Sequence, residues 1–264
     1  MRDFNEYLGE LLGTFILVFI GCGSVALDVI YGTFGSLTMV ALVWGAGVAL
    51  AIFATRNYSP AHLNPAVSVA MWFSKRYPLK KLGLYVISQF IGALLAGVAL
   101  YLIFASDLAA FEIANSIVRG QPESAKSAMM FGEFYPNPGF PDIGNVSSGF
   151  AVLMEGLGTF TLVFVIFLLT DPRGIGSKLK IKNLIPILIG LTVTAIICVV
   201  APYTQAGLNP ARDFGPRLVA YFAGWNSAAF PDASIGFFTI YIIAPIAGGI
   251  LAFRLHSLFF RKGS

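Results

Sequence analysis

Six apolar stretches divide the sequence, and each is long enough to cross the roughly 30 Å hydrocarbon core of a bilayer as a helix. Two shorter apolar segments lie between the second and third stretches and between the fifth and sixth. At 1.5 Å per residue, a helix in either segment would span only about half of the bilayer. We therefore expect these two helices to enter the membrane and return on the same side. The six predicted spans lie near residues 8–28, 36–55, 82–104, 148–170, 183–201 and 234–254, and the short helices near 65–74 and 210–222.

Each short segment begins with the tripeptide Asn-Pro-Ala, at residues 64–66 and again at residues 209–211. Asn is a favoured N-cap residue and Pro is favoured at the first helical position, so the tripeptide predicts a helix start. A helix start at membrane depth is tolerated only where it lines a cavity or is buried in protein. The two tripeptides therefore indicate a cavity near the centre of the membrane.

The two halves of the sequence are copies of one another. Glu10 and Glu155 occupy matching positions in similar segments, and they are 145 residues apart, as are Asn64 and Asn209. Each half contains three spans, an odd number, so the halves must point in opposite directions. Inverted repeats of this kind place their working site near the midplane, where the discontinuous helices meet.

These patterns predict an all-α membrane protein with six transmembrane helices and two re-entrant half-helices in an inverted three-plus-three repeat. We interpret residues 1–264 as one transmembrane domain. Its first repeat covers about 8–104, a long outer loop covers about 105–147, and its second repeat covers about 148–254.

Composition and charge agree with this fold and give the chain an orientation. Hydrophobic residues make up 57% of the sequence and charged residues only 11%, against about 25% charged in a soluble domain. Thirteen Lys and Arg residues fall on one side of the predicted spans and four on the other, which favours both termini in the cytoplasm. The basic residues lie in short loops rather than in a patch, so we expect no nucleic-acid partner.

The sequence gives no sign of catalysis or of a cofactor. Cys22 and Cys198 lie in apolar runs and are interpreted as small buried hydrophobic residues. No CxxC motif or His/Cys cluster suggests a metal, and no hydrolase, metalloprotease or P-loop motif is present. We therefore predict neither a cofactor nor an enzyme.

The paired Asn-Pro-Ala tripeptides, a Glu in the first and fourth spans and Arg212 directly after the second tripeptide resemble the aquaporin, or major intrinsic protein, family. The resemblance covers essentially the whole chain. Asp213 after the arginine and the outer-loop segment Tyr135-Pro136-Asn137-Pro138 are similar to its glycerol-facilitator branch. The resemblance implies a homotetramer with one pore per subunit, and we expect it in a bacterial plasma membrane.

Asn64 and Asn209 are predicted to form the centre of the pore. An N-cap asparagine gives its side-chain oxygen to the backbone of its own helix and leaves its NH₂ group as a donor. Two such donors from opposite sides would hold one water or hydroxyl oxygen. The positive ends of both half-helix dipoles would also point there, which opposes the passage of cations and protons.

The intramembrane carboxylates Glu10 and Glu155 allow two interpretations. They could relay protons, which would imply coupled transport, or they could accept hydrogen bonds from the backbone of the two re-entrant loops. We favour bracing, because loop N–H groups at that depth need acceptors. Asp213 is assigned to the same bracing set, and the pore wall and loop backbone are assigned to His62, Leu63, Gln205, Gly207 and Leu208.

The resemblance places the narrowest ring of the pore at Trp44, Ile197, Ala206 and Arg212. Water-selective members have His where this chain has Ile197, so we expect a wider and more apolar ring. The familiar glycerol filter has Gly and Phe at the positions of Ile197 and Ala206. The combination here is similar to plant nodulin-type channels, which are associated with glycerol, small uncharged acids and metalloid hydroxides. Gln205 could project into the outer mouth or satisfy the loop backbone.

The leading hypothesis is a passive channel for glycerol and similar small uncharged solutes, with water as a second permeant and with exclusion of protons and ions. One alternative is a water-selective channel, and another is a channel for a different small neutral solute such as an undissociated acid or a metalloid hydroxide. A coupled transporter that uses Glu10 and Glu155 is less favoured. His62 is interpreted as a hydrogen-bonded loop histidine and His256 as a solvated or interfacial residue of a basic tail.

Overall fold

The structure is a computed structural model that describes residues 2–231 and 236–260, with only the backbone described for Arg2. This described part is built from helices and loops. Short helical turns connect its eight main helices at Pro122–Ser124, Ala125–Ala128, Pro141–Ile143, Ile175–Lys178, Tyr221–Trp225 and Asn226–Ala229. The main helices are α1 (Arg2–Tyr31), α2 (Leu37–Thr55), α3 (Pro65–Phe73), α4 (Leu79–Ala114), α5 (Ser148–Thr170), α6 (Ile185–Thr204), α7 (Pro210–Ala220) and α8 (Gly236–Phe259).

The six predicted spans are confirmed, since α1, α2, α4, α5, α6 and α8 are each long and apolar enough to cross a membrane. The two half-helices are also present, with nine residues in α3 and eleven in α7. The predicted start of the sixth span at residue 234 lies outside the described residues, as do the two basic residues 261 and 262.

The predicted end of the third span at residue 104 was wrong, because α4 continues to Ala114 and the outer loop begins at residue 115. Hydropathy falls at Ser106 and Asp107, but this end of the helix still has a buried side. Leu108 is fully buried there, and Glu112 is 6% exposed and forms an ion pair with Arg119 of the loop. Packing against the outer loop therefore carries the helix beyond the apolar stretch.

Contacts between helices interlock the two repeats. In the first repeat α1 packs against α2 and α4, and in the second repeat α5 packs against α6 and α8. Across the repeats, α2 packs against α6. The half-helices cross over, since α3 packs against α8 and α7 packs against α4. Each half-helix is therefore held partly by the repeat to which it does not belong.

The contact between α2 and α6 brings together equivalent positions of the two repeats. Gly45 and Gly190 are 145 residues apart and face each other. A Cβ atom on Gly45 would lie 2.5 Å from the carbonyl oxygen of Gly190, and one on Gly190 would lie 2.3 Å from the carbonyl oxygen of Gly45. Only glycine permits two backbones to approach so closely. This reciprocal contact agrees with the inverted repeat predicted from the sequence.

The outer loop is anchored by a fully buried arginine. The guanidinium of Arg217 donates to the carboxylate of Asp213 at 2.6 Å and to the carbonyl oxygens of Glu133 and Ala229. Aromatic rings surround it, including that of Phe237, whose centroid lies 5.1 Å from the guanidinium carbon. A charge taken out of water needs such partners, so this arrangement fixes the loop on α7.

The expectation that His256 lies in a solvated tail was wrong. Because α8 continues to Phe259, His256 lies within the helix and is 2% exposed. Its ring stacks on Phe260 with centroids 4.5 Å apart, and it also contacts the ring of Phe167.

Candidate functional site

A cavity of about 390 Å³ lies along the interface of the two repeats. Most of its wall is aliphatic, with side chains from α2, α5 and α6 and from the two half-helices and the loops before them. Among the predicted site residues, ten line this cavity: Trp44, His62, Leu63, Asn64, Ile197, Ala206, Gly207, Leu208, Asn209 and Arg212. The predicted residues that lie outside its wall are Glu10, Glu155, Gln205 and Asp213.

The two half-helices meet at their N-terminal ends through the predicted asparagines. The side-chain oxygen of Asn64 accepts from the N–H of Ala66 at 2.8 Å, and that of Asn209 accepts from the N–H of Ala211 at 3.1 Å. Both residues are therefore N-caps, in the extended conformation typical of that position.

Each asparagine also crosses to the opposite loop, which the sequence did not indicate. Nδ2 of Asn64 donates to the carbonyl oxygen of Leu208 at 3.0 Å, and Nδ2 of Asn209 donates to that of Leu63 at 2.8 Å. A side-chain amide has two N–H donors. One donor on each asparagine therefore joins the half-helices, and the second is left for an oxygen in the cavity.

Glu10 lies behind the first loop, where it is fully buried. One of its oxygens accepts from the N–H of His62 at 2.9 Å and from the hydroxyl of Ser59 at 2.8 Å. The other oxygen accepts from the N–H of Leu63 and from the side-chain amide of Gln89, both at 2.7 Å. The carboxylate therefore satisfies two backbone donors of a loop that has no regular hydrogen-bonding partner.

Glu155 repeats this arrangement behind the second loop, where it is also fully buried. It accepts from the N–H of Gly207 at 2.9 Å, from the N–H of Leu208 at 2.8 Å and from the hydroxyl of Thr204 at 2.6 Å. Within the described residues, every hydrogen bond found for either carboxylate is one that it accepts.

The backbone of both loops adopts conformations that L-residues rarely use. Ala61 and Leu63 in the first loop have φ of 52° and 53°, and Gln205, Ala206 and Leu208 in the second have φ of 60°, 62° and 56°. Left-handed residues other than glycine cost roughly 1–2 kcal/mol each and persist only where their surroundings hold them. The bonds to the two carboxylates and the two asparagines provide such surroundings.

Gln205 is not among the residues that line the cavity. Of the two roles that the sequence allowed, projection into the outer mouth or bonding to the loop backbone, its side chain has the second. Its side-chain oxygen accepts from the N–H of Phe134 at 2.8 Å, and its amide nitrogen donates to the carbonyl oxygen of Met129 at 3.2 Å. The side chain therefore joins the second half-helix loop to the outer loop, because it satisfies backbone groups that have no helical partner there.

His62 contributes to the wall of the cavity and is held from three sides. Its backbone N–H is bound by Glu10, and its Nδ1 lies 3.2 Å from the hydroxyl of Ser68. The rings of Tyr77 and Tyr85 pack edge-on against the imidazole, with centroids 5.1 and 5.4 Å away. These contacts agree with the interpretation of His62 as a hydrogen-bonded histidine that the loop holds in place.

The four predicted ring residues lie together on the cavity wall and are all buried, with 4% to 5% exposure. The guanidinium carbon of Arg212 lies 4.2 Å from the centroid of the Trp44 indole, within the range of a cation–π contact. Ile197 and Ala206 contribute only apolar groups. The ring therefore combines one charged donor group with an aromatic face and two aliphatic side chains.

Sequence reasoning missed Glu133, which forms an ion pair with Arg212 and is 2% exposed. The backbone of Glu133 is also anchored, since its N–H donates to Asp213 at 2.7 Å and its carbonyl oxygen accepts from Arg217. A useful signal was available, because Glu133 stands within an otherwise apolar outer-loop stretch, residues 128–134. An acidic side chain in such surroundings requires a buried partner.

The charged side chains that line the described part of the cavity are Arg56, Arg76, Lys182 and Arg212, and all four are basic. In the same described residues, no group of three His, Cys, Asp or Glu side chains could hold a metal ion. The arrangement can therefore donate hydrogen bonds to a neutral solute, while its fixed charges oppose cations.

The sequence is similar to known proteins along almost its whole length. Residues 1–256 match the family described as Major intrinsic protein. The chain is 40% identical over 249 residues to the glycerol uptake facilitator protein of Pseudomonas aeruginosa, covering 94% of this chain and 86% of that protein. It is 35% identical over 254 residues to the propanediol uptake facilitator PduF of Salmonella typhimurium, covering 96% and 92%.

The fold is also similar to that of a solved structure. The X-ray structure of the aquaglyceroporin from Plasmodium falciparum matches with a TM-score of 0.79 and 26% identity, over 96% of this chain and 95% of that one. The similarity therefore extends over nearly the whole fold rather than over a single motif.

The pairing of Glu133 with Arg212 predicts the effect of Glu133→Gln. Removal of one partner of a buried ion pair leaves the other charge uncompensated and costs about 3 kcal/mol. The substitution keeps the backbone bonds of residue 133, so it isolates the side chain. We expect a clear fall in the thermal unfolding midpoint of the purified protein in detergent. Glu123→Gln, at an exposed outer-loop position, is the control. Equal midpoints for the two variants would contradict the assignment.

Proposed function

The chain belongs to the major intrinsic protein family, and we propose that it is a passive channel for glycerol and similar small uncharged solutes. The observation that carries the proposal is the pair of asparagine donors at the junction of two half-helices, inside a cavity that is otherwise mostly aliphatic. A polyol has the complementary surface, because hydroxyl groups alternate with CH groups along a carbon chain. The relatives named as glycerol and propanediol facilitators support this class of solute.

The wall would replace the water that a solute loses on entry. Burial of a hydroxyl without a hydrogen bond is costly, so each hydroxyl needs a donor or acceptor along the path. We assign this role to the second N–H groups of Asn64 and Asn209 at the centre. Arg212 would do the same at the outer ring. Aliphatic side chains such as Val67 and Ile189 would contact the CH groups.

We propose that Trp44, Ile197, Ala206 and Arg212 form the selectivity filter. Trp44 supplies an apolar face for the carbon chain, and Arg212 donates to passing oxygens. Small-molecule sites commonly combine a mostly apolar lining with a few placed polar groups. Ile197 and Ala206 distribute bulk differently from the familiar glycerol filter, so the ring accepts a linear polyol with a different shape of opening. Water, which is smaller, would pass as a second permeant.

Protons and cations would be excluded by electrostatics, and an ion of either sign would also have to give up its hydration in a mostly aliphatic cavity. Both half-helices direct the positive ends of their dipoles, each about half an elementary charge, at the midplane. Arg56, Arg76 and Lys182 on the wall add to this potential, whereas the charge of Arg212 is compensated by Glu133. A neutral solute is not opposed by either term, which is the selectivity described for aquaporin-type pores.

The geometry argues against a coupled transporter. Glu10 and Glu155 are absent from the cavity wall, and the hydrogen bonds found for them hold the loop backbones. A proton relay needs a path to the solute, and neither carboxylate lines this cavity. A water-selective channel is the nearer alternative, and Ile197 in place of a histidine argues against it. A channel for another small neutral solute remains the second candidate, favoured by the aromatic-plus-small ring.

The protein is a multi-pass membrane protein, and we propose the following setting for it. Residues 1–264 act as one channel domain, both termini lie in the cytoplasm, and the membrane is a bacterial plasma membrane. The Lys and Arg distribution supports this orientation. Exposed apolar side chains on the outer faces of the helices, such as Leu102 and Leu251, suit contact with lipid or with neighbouring subunits of a homotetramer.

The proposal is tested by stopped-flow light scattering on proteoliposomes. A sucrose jump should cause rapid shrinkage, and a glycerol jump should cause shrinkage followed by fast reswelling at a rate linear in the gradient. Empty liposomes are the control. Shrinkage without reswelling in glycerol would contradict a polyol channel and leave a water channel or one for a smaller solute.

Ile197→His tests the filter assignment. The larger, polar ring should narrow the opening, so glycerol permeability should fall about tenfold while water permeability falls less than about twofold, since one tight contact discriminates by roughly this factor. Val199→His, at an exposed position on the same helix, is the matched control. Equal losses of water and glycerol flux in Ile197→His would place the filter elsewhere.

A further inference from the structure

We propose that Gly21 is a positioning residue for the filter, because it sets how far the Trp44 indole projects into the pore. Gly21 lies in the middle of α1, a helix that contributes little to the cavity wall itself. Glycine in a helix interior is destabilising relative to alanine, so its presence there calls for a packing reason. Trp44 provides that reason. The inference rests on the proposed function, since it concerns the solute selectivity of the same pore.

The indole of Trp44 lies flat against the backbone of Gly21. A methyl group at Gly21 would lie 2.2 Å from both Cε3 and Cζ3 of the indole and 2.3 Å from Cδ2. These are three consecutively bonded ring atoms. Nearly equal distances to all three place the methyl group over the face of the ring, because an approach at the edge would favour one atom. No side chain larger than hydrogen fits there while the indole keeps its position.

The neighbouring helices favour movement of the indole towards the pore. Beside this site α1 and α2 are already in close contact, since a Cβ on Gly47 would lie 3.0 Å from Ile20 Cγ2. On its other side α1 packs closely against α4, since a Cβ on Gly92 would lie 2.2 Å from the carbonyl oxygen of Leu11, so α1 cannot easily move away from α2. Trp44 lines the cavity, so the open space next to the ring is the pore itself. A larger residue at position 21 would therefore push the indole towards the solute path.

The equivalent positions of the second repeat carry residues of different size. The positions 145 residues after Gly21 and Trp44 are Ile166 and Ile189, and both line the inner part of the cavity. The outer half thus combines the smallest residue with the largest, while the inner half combines two of intermediate size. Such paired changes keep the packed volume similar. This difference in size agrees with our proposal that Gly21 and Trp44 act as a pair.

Gly21→Ala tests the proposal through the ratio of glycerol to water permeability in proteoliposomes. We expect the ratio to fall about tenfold, as for one extra methylene in a tight site, because glycerol needs more of the opening than water does. Gly23→Ala is the matched control. It lies two residues along the same helix, and its methyl group would meet Leu100 Cδ2 at an ordinary 3.4 Å. Its ratio should stay within about twofold of the native value, because the added methyl group makes only an ordinary contact and lies away from the indole.

A double-variant cycle separates positioning from general damage to α1. In a Trp44→Ile background the indole is gone, and the pair resembles the one that the second repeat accommodates. Gly21→Ala should then change the ratio less than about twofold, because the two positions no longer couple. An unchanged ratio for Gly21→Ala in the native background would overturn the proposal. So would a loss of the same size in both backgrounds, since the effect would then be independent of the indole.

Two further outcomes are decisive. If Gly21→Ala fails to insert but the double variant inserts and conducts like Trp44→Ile alone, the clash with the indole is supported. If the double variant also fails, Gly21 serves the packing of α1 and the proposal is wrong. Absent glycerol flux in the native protein would contradict the proposed function instead. The water permeabilities of the four proteins would then measure the same coupling between positions 21 and 44.

Discussion

Backbone N–H groups that lie at membrane depth outside a helix must find acceptors, and two buried carboxylates provide them in this protein. Glu10 and Glu155 each bind two consecutive N–H groups of a re-entrant loop. These bonds allow a helix to begin in the middle of the membrane rather than at its surface. A buried carboxylate is itself costly, and the three or four hydrogen bonds that each accepts offset that cost. The inverted repeat explains why this interaction occurs twice.

The rest of the pore depends on this bracing. The loops can keep their left-handed residues only while their N–H groups are bound. In that conformation Asn64 and Asn209 reach the carbonyl oxygens of the opposite loops and still cap their own half-helices. The second loop also carries Ala206 and leads into Arg212, so the proposed filter is built on the same support. Glu133 then compensates the charge of Arg212 from the outer loop.

The sequence predicted the features that are local or repeated, and it missed those that depend on distant partners. Hydropathy located the six spans, and the Asn-Pro-Ala tripeptides located the half-helices to within a few residues. The constant spacing of 145 residues established the inverted repeat. The extension of α4 to Ala114, the pairing of Glu133 and the partners of Gln205 all depend on how the outer loop folds back, which no local pattern reports. The role that we propose for Gly21 could not be predicted either, because it depends on the indole of Trp44, which packs against it in the fold.

The central claim is that Glu10 and Glu155 are fixed hydrogen-bond acceptors that hold an open path for neutral solutes and move no proton. Proteoliposomes that contain a pH-sensitive dye test this most directly. A glycerol gradient should move glycerol without a change in internal pH, and an imposed pH gradient should not drive glycerol accumulation. A dye signal that follows glycerol entry, or uphill uptake that Glu155→Gln abolishes in a folded protein, would contradict the account.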